Sequence, residues 1–444
     1  MKISLDSPAR RAAFEILQRV EEGSFANVLL ANKEAELKQR DRALCHELVM
    51  GVLRRQQWLD QLTKHYANRE VLTLDLGVLI AIRLGLYQLR FLSRIPVSAA
   101  VNESVNLVRL ARLRSAEGFV NAILRRATRE MAYDPLADVI DPVDRLSLET
   151  SHPRRLIERW TEALGVAEAE ALARANNDPS PVAFRVVRTK ANEAEILDRL
   201  KSEGAKLLAS EIAKAAWRVS GATNLLRELV GSGQIYLQDE GSQLVAEVLD
   251  AKVGERVLDL CAAPGSKTTQ IADLASDSLS LVAADLHEHR LAVLDRAIKS
   301  QHLKSIRRIA LNGLEPLPFL NDSFDRVLVD APCSGTGTLR RNPEIRYRIS
   351  NEDIRDLSTR QNRLVFNASR MVRPGGRLVY STCSIERDEN EAVVKAFLEA
   401  NGDFAPVRLH VKSSLITDSG AARTWPHRND TDGFFIAALQ RKER

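Results

Sequence analysis

Cysteine is scarce in this chain, four among 444 residues, at positions 45, 261, 333 and 383. No Cys-x-x-Cys pair occurs. Its absence argues against a structural zinc site, a dithiol redox motif and a disulfide framework, and no metal is expected. Long apolar runs are missing too, since no window approaches about 18 uninterrupted apolar residues. The first residues, Met1-Lys2-Ile3-Ser4-Leu5-Asp6, contain no apolar signal core. A cytoplasmic chain with free thiols and no membrane partner is therefore expected, in which the sequon Asn102-Glu103-Ser104 carries no meaning. Repeats and low-complexity segments are absent as well. The remaining composition, 45% hydrophobic and 28% charged, describes a folded protein with ample core material. The net charge of +5 suits a polyanionic partner without establishing one. Nothing in the apolar content calls for a partner subunit, so a monomer is expected.

The length suggests two or three domains. Residues 8 to about 130 read as consecutive amphipathic helices, with apolar residues at three- and four-residue spacing in Arg11 to Val20, Leu44 to Leu62 and Leu76 to Leu92. Pro96 stops one helix, and Ser98 is placed to cap the next. The Pro- and Asp-punctuated stretch at Asp134-Pro135 and Asp141-Pro142 marks a first boundary. We read 1–140 as an all-helical domain, 141–235 as a small α+β connector and 236–444 as a third domain. The connector has a strand from Val182 to Val187 and a helix from Asn192 to Glu203, with Asn192 as cap. A further strand, Gln234 to Asp239, leads into a helix at Ser242 to Leu249. In the third domain, strands at Arg256 to Leu260, Leu279 to Leu286, Arg307 to Leu311, Arg326 to Asp330 and Arg377 to Cys383 alternate with helical patterns. Such alternation predicts a parallel α/β sheet covered on both faces.

Two of the four thiols stand directly after apolar runs. Arg326-Val327-Leu328-Val329 precedes Asp330-Ala331-Pro332-Cys333-Ser334-Gly335-Thr336-Gly337, and Arg377-Leu378-Val379-Tyr380 precedes Ser381-Thr382-Cys383-Ser384. Both strands deliver a thiol to their carboxyl ends, where open α/β sheets place their ligands. The bland alternative, two thiols serving as small core hydrophobes, fits poorly with the polar and glycine residues around them.

The strand before them ends in Asp259-Leu260-Cys261-Ala262-Ala263-Pro264-Gly265-Ser266-Lys267-Thr268. These small residues let backbone approach a ligand closely. A phosphate-binding loop of the Walker type would need glycine where Cys261 and Ser266 stand, and Gly-x-Gly-x-x-Gly is absent, so neither nucleotide fingerprint applies. The next strand ends at Asp285, a carboxylate placed either to bind the two hydroxyls of a ribose or to cap the following helix.

These strings resemble those of the RNA cytosine-C5 methyltransferases, and the match continues through Gln238-Asp239-Glu240-Gly241-Ser242-Gln243, Trp425-Pro426-His427-Arg428 and Asp432-Gly433-Phe434-Phe435. The helical region resembles the NusB-type RNA-binding fold through Arg11-Ala12-Ala13-Phe14-Glu15-Ile16-Leu17, Leu84-Gly85-Leu86-Tyr87-Gln88-Leu89 and Phe119 to Arg126. Together the three parts are similar to the bacterial 16S rRNA methyltransferases of the Sun/RsmB type. The resemblance implies a Rossmann-like class I methyltransferase domain, S-adenosyl-L-methionine as cofactor, and 16S rRNA or an early small-subunit assembly intermediate as partner, with cytosine 967 as target. It further implies that Cys261, Ala262, Ala263, Pro264, Gly265, Ser266, Lys267, Asp285, Asn312 and Asp330 hold the cofactor. Two departures stand out: the family usually has a second glycine where Ser266 stands, and an aspartate where this chain has Asn312-Gly313.

Cytosine C5 is a weak nucleophile until a thiolate adds at C6. By the resemblance Cys383 attacks, Cys333 assists removal of the C5 proton and release, and Asp330 bonds the N3 and N4 edge of the base. By analogy with DNA cytosine methyltransferases Cys333 would attack instead. The basic run Leu339 to Arg348, with four arginines, reads either as an RNA phosphate clamp or as a solvated charged face. Two other readings stay open on these residues, a tRNA methyltransferase and a non-catalytic RNA-binding or assembly factor.

Overall fold

A computed structural model describes residues 7–33 and 36–443; the opening Met1 to Asp6 lies outside them. The chain divides into two compact units, one comprising residues up to Asp178 together with Leu339–Arg348, the other Pro179–Thr338 and Ile349–Arg444.

The first unit is all-helical. Seven helices, Pro8–Glu21, Ala26–Lys33, Gln39–Arg54, Gln56–Ala67, Leu76–Phe91, Val97–Leu110 and Glu117–Arg129, enclose one core built from residues such as Phe14, Leu48, Leu59, Ile80, Leu84 and Leu124. The apolar run expected from Leu44 to Leu62 is broken at Arg55 into two helices. Ser98 is not a cap: Pro96 occupies the N-cap position, and Ser98 sits inside the first turn of Val97–Leu110. Gly85 stands mid-helix at a cost of about 1 kcal/mol relative to alanine. A Cβ there would meet Leu124 at 2.7 Å, so the glycine permits close helix approach. Three more helices, Pro142–Thr150, Arg154–Leu164 and Val166–Ala175, belong to the same unit.

The second unit opens with an antiparallel sheet of β1 (Val182–Val186), β2 (Lys206–Ala209), β3 (Ala216–Ser220) and β4 (Ile235–Leu237), in the order β2-β3-β1-β4. Helices Glu193–Ser202 and Thr223–Gly231 accompany it, and the Asn192 side chain accepts from Ala194 N and Glu195 N as the first one's cap. The large sheet follows: β5 (Arg256–Asp259), β6 (Ser280–Asp285), β7 (Ile306–Ala310), β8 (Phe324–Asp330), β9 (Val372–Thr382), β10 (Phe404–Pro406), β11 (Ala422–Arg423) and β12 (Phe435–Arg441). Its order is β10-β12-β9-β8-β5-β6-β7, with β11 paired to β12. The five strands expected from the βα alternation are parallel. The sheet is nevertheless mixed, because β10, β11 and β12 are joined to it by antiparallel pairings.

Successive residues of the central strands feed opposite cores. Leu328 and Val379 lie in one apolar cluster, while Val327, Val329, Leu378 and Tyr380 lie in the other. Burial on both faces explains why these strands read as unbroken apolar runs. From β5 the chain moves outward to β6 and β7 on one side and to β8 and β9 on the other. That reversal opens a crevice at the carboxyl ends of β5 and β8, the position at which open α/β sheets bind ligands.

Candidate active site

The strand ends converge as follows. β5 leads into the loop Leu260 to Gly265, which turns into helix Ser266–Leu274. Gly265 has φ +109°, and a Cβ there would lie 2.4 Å from a Leu294 methyl, so both conformation and space demand glycine. Ser266 is the first residue of the helix, where its side chain is accommodated without such a constraint. Asp259 is buried at the strand end, and its Oδ2 accepts from Thr268 Oγ1 at 2.7 Å. Its Oδ1 has no hydrogen-bond partner. Burial pushes the Asp259 carboxyl up to about 7. Burial, reinforced by Asp259, Asp330 and Asp285, likewise holds the Cys261 thiol well above its ordinary value.

Asp285 ends β6 and ties two turns together. Its Oδ2 accepts from Ala263 N at 3.1 Å, and its Oδ1 accepts from His287 N at 3.1 Å. His287 is the N-cap of helix Glu288–Gln301, so Asp285 shapes the turn before the helix rather than capping it. Arg290 donates to the Ala263 carbonyl at 2.8 Å and completes this clasp. Asn312 lies two residues beyond β7, exposed, with Oδ1 accepting from Leu314 N at 3.1 Å. Its amide group is left as a donor, the opposite of what an aspartate at this position would present.

β8 and β9 carry the reactive groups. Cys333 Sγ and Cys383 Sγ are 3.4 Å apart, both half-buried. The hydrogen bond with Cys383, together with burial and nearby negative charge, raises the Cys333 thiol well above its ordinary value. Lys267 Nζ donates to Asp330 Oδ2 at 2.8 Å, and Ser381 Oγ donates to Oδ1 at 2.7 Å. Burial opposes the Lys267 charge, but Asp330 outweighs it and the ammonium is held above its ordinary value. The ammonium also stands 5.1 Å above the Phe434 ring. Asp330 is thus a fixed acceptor with both oxygens engaged and a quarter of its side chain open, 26% exposed. Glycines bring a third segment to the thiols: Gly337 N donates to the Cys383 carbonyl at 2.9 Å, and Gly433 N donates to the Gly337 carbonyl at 2.7 Å.

The structure brings Cys333, Cys383, Asp330 and Lys267 together and sets the Cys261 to Lys267 loop against Asp285. Ser381, Phe434, Arg290 and the unpartnered Asp259 oxygen were not singled out from the sequence. Ser381 and Phe434 lie inside quoted motifs and were readable there; Arg290 had no local signal. Two arginines of the basic run after the first cysteine motif, Arg340 and Arg346, are buried within the helical unit. Arg346 is 0% exposed and donates to the Thr150, Ser151 and Asn176 carbonyls and to Asn177 Oδ1, all within the helical unit. Arg340 is also buried, and Arg348 donates to the carbonyls of Val20, Gly23 and Ser24. Arg346 and Arg348 thus donate mainly to main-chain carbonyls at or just beyond helix ends. Among the described residues no group of three or more His, Cys, Asp or Glu is placed to hold a metal, and no helix is long and apolar enough to cross a membrane.

The site suits a cofactor that brings its own hydrogen-bond donors. Asp259 Oδ1 is a buried acceptor that makes no well-formed hydrogen bond, helped only by the Cys261 main chain, and a donor of a bound ligand would relieve the desolvation cost. Asp285 and the exposed amide of Asn312 stand at the ends of the next two strands.

Comparisons with known proteins identify the family. Residues 246–440 match the family described as 16S rRNA methyltransferase RsmB/F, residues 7–129 match the NusB family, and residues 152–225 match the RsmF/B-like ferredoxin-like domain. The chain is 36% identical to the probable ribosomal RNA small subunit methyltransferase B of Bacillus subtilis, over 98% of both chains. It is similar to the crystal structure of PH0851, at 28% identity with a TM-score of 0.86 and full coverage of both chains. A methyltransferase homolog from Pyrococcus horikoshii matches 68% of this chain and 100% of its own, at 28% identity and a TM-score of 0.61.

Proposed function

Because this chain belongs to the RsmB/F family and is a small-subunit rRNA methyltransferase, we propose that it methylates C5 of a cytosine in 16S rRNA, cytosine 967, through a covalent thiol adduct at C6. The observation that carries this reading is the thiol pair, 3.4 Å apart at the ends of two adjacent parallel strands beside an anchored carboxylate. Two cysteines at that spacing suit a reaction that needs one thiolate to attack and one thiol to remain protonated.

Cys383 adds to C6, and its electron pair makes C5 nucleophilic. Asp330 bonds the N3 and N4 edge, accepting from the N4 amino group and favouring a proton at N3 as negative charge builds on the ring. Lys267 and Ser381 keep the Asp330 carboxylate oriented, so that no reorganisation is needed as the adduct forms. S-adenosyl-L-methionine supplies the electrophilic methyl group when bound. The loop from Cys261 to Lys267, with Asp259, Asp285 and Asn312, would hold it. The C5 proton then passes to water beside Cys333, and elimination across C5 and C6 expels the Cys383 thiolate, which the protonated Cys333 thiol assists as its hydrogen-bond donor. The target base must leave its stack to reach these groups, at a cost of a few kcal/mol that is least in a loop or distorted helix. Residues 7–129 of the helical unit, which match the NusB family, are assigned to RNA docking.

Mass mapping of 16S rRNA and bulk tRNA after incubation with the protein and S-adenosyl-L-methionine tests the assignment. One added methyl on C5 of cytosine 967 is expected, with tRNA unchanged; methylation of tRNA alone would refute the rRNA assignment.

A further inference from the structure

Each cysteine motif places a serine directly after its thiol, and both serines converge on one buried carboxylate. Ser334 donates from N to Glu389 Oε1 at 2.8 Å and from Oγ to Oε2 at 2.5 Å. Ser384 Oγ donates to Oε2 at 2.5 Å. Gln361 Nε2, on helix Asn351–Ser369, donates to Oε1 at 3.0 Å and also to the Pro332 carbonyl at 2.9 Å. The Tyr380 hydroxyl donates to the main-chain carbonyl of Glu389 at 2.5 Å. Glu389 is 0% exposed, and no lysine, arginine or histidine pairs with it among the described residues.

A buried carboxylate without a cation is an expensive way to join two loops. A neutral side chain would serve a purely structural link at lower cost. Burial raises the Glu389 carboxyl and its Ser334, Ser384 and Gln361 donors pull it back, so what the carboxylate adds is negative charge beside the Cys333 loop, in a cluster that also holds Cys261, Cys333, Cys383, Tyr380, Asp330 and the Lys267 ammonium. We propose that Glu389 is a positioning residue for the thiol pair: its carboxylate binds the Cys333 and Cys383 loops into one unit and biases negative charge away from Cys333. The proton then stays on Cys333, and Cys383 is the member free to attack. This inference rests on the division of labour between the thiols proposed above.

Alkylation by iodoacetamide at neutral pH, on the full chain without RNA, reads the bias directly when each cysteine peptide is quantified by mass spectrometry. Glu389→Gln keeps the size and loses the charge. It should alkylate at Cys333 at least about fivefold faster than wild type, with Cys383 changed by less than about twofold, because the rate follows the thiolate fraction. Glu389→Asp keeps the charge and should keep Cys333 slow. On substrate RNA, Glu389→Gln should lower kcat by about tenfold with KM unchanged. Equal acceleration of both cysteines in Glu389→Gln, or no acceleration of either, would overturn the proposal, as would a fast Cys333 in a folded Glu389→Asp protein. The labelling needs no methyl transfer. A selective Cys333 response in a protein that methylates no RNA would therefore uphold the positioning role while removing the proposed reaction.

Discussion

Two stretches that follow each other in the chain, Asp330 to Thr338 and Leu339 to Arg348, each pair with or contain a buried cation, in opposite ways. At the start of the first, Asp330 receives the almost enclosed Lys267 ammonium and itself remains partly open. In the second, the Arg346 guanidinium is wholly enclosed and pairs with main-chain carbonyls at helix ends. Carbonyl acceptors use up the charge and leave nothing to act on a ligand. A carboxylate held by a lysine on one oxygen and a serine on the other still has lone pairs directed at open space. Burial of a cation is therefore no sign of function by itself; the partner decides.

The comparison is sharpest at the thiols. Replacing Cys383 by alanine should abolish methyl transfer, a loss of about 10³-fold or more, while leaving the fold intact. Asp330→Asn should follow, lowering kcat by about 10² to 10³-fold because the carboxylate that favours a proton at N3 is gone, and lowering the melting temperature as well because the almost enclosed Lys267 ammonium loses its partner. Arg346→Ala should cost stability alone. It leaves several buried carbonyls unpaired and should destabilise the helical unit by about 3 kcal/mol, read by thermal denaturation, with cofactor affinity of the catalytic unit unchanged. If Arg346→Ala weakened RNA binding in proportion to salt while leaving stability intact, the contrast would fail.

Asp259 gives a pH signature. Its folded-state value, about 7, lies above the ordinary carboxylate value of 3.8. Between those values the folded protein keeps a proton that the unfolded chain has released, so this group lowers stability as pH rises through that window. The melting temperature of Asp259→Asn relative to wild type should accordingly climb from pH 4 to pH 7 and level off above it. The smallest effect concerns Arg340: with its guanidinium buried, Arg340→Ala should change the salt slope of RNA binding by less than about one.

Much of the catalytic sheet was legible because its central strands are buried on both faces and their apolar runs are continuous. The loop after β5 and the two cysteine motifs were legible for a related reason, small and polar residues breaking abruptly from apolar runs. The antiparallel strands β10, β11 and β12 were not. β10 and β11 are three and two residues long, too short for a period, and Phe435 to Leu439 follows a turn motif that drew attention to itself instead. β2 and β3 escaped because their residues are largely exposed or half-buried. The arginine run stayed ambiguous for a physical reason: guanidiniums directed at phosphate and at helix-end carbonyls look identical in sequence, and only the fold says which acceptor is near. Glu389 lies six residues beyond Cys383, at a spacing that belongs to no regular element, so its role emerges only once Ser334 and Ser384 are seen to meet it.

The covalent step is the centre of the account, and it is tested most directly with a 16S rRNA fragment carrying 5-fluorocytosine at the target position. Fluorine at C5 blocks the final elimination, so wild-type protein with S-adenosyl-L-methionine should form an RNA complex that survives denaturation. Cys333→Ala should form it too, and Cys383→Ala should not. A complex that persists in Cys383→Ala and vanishes in Cys333→Ala would contradict the assignment of the attacking thiol.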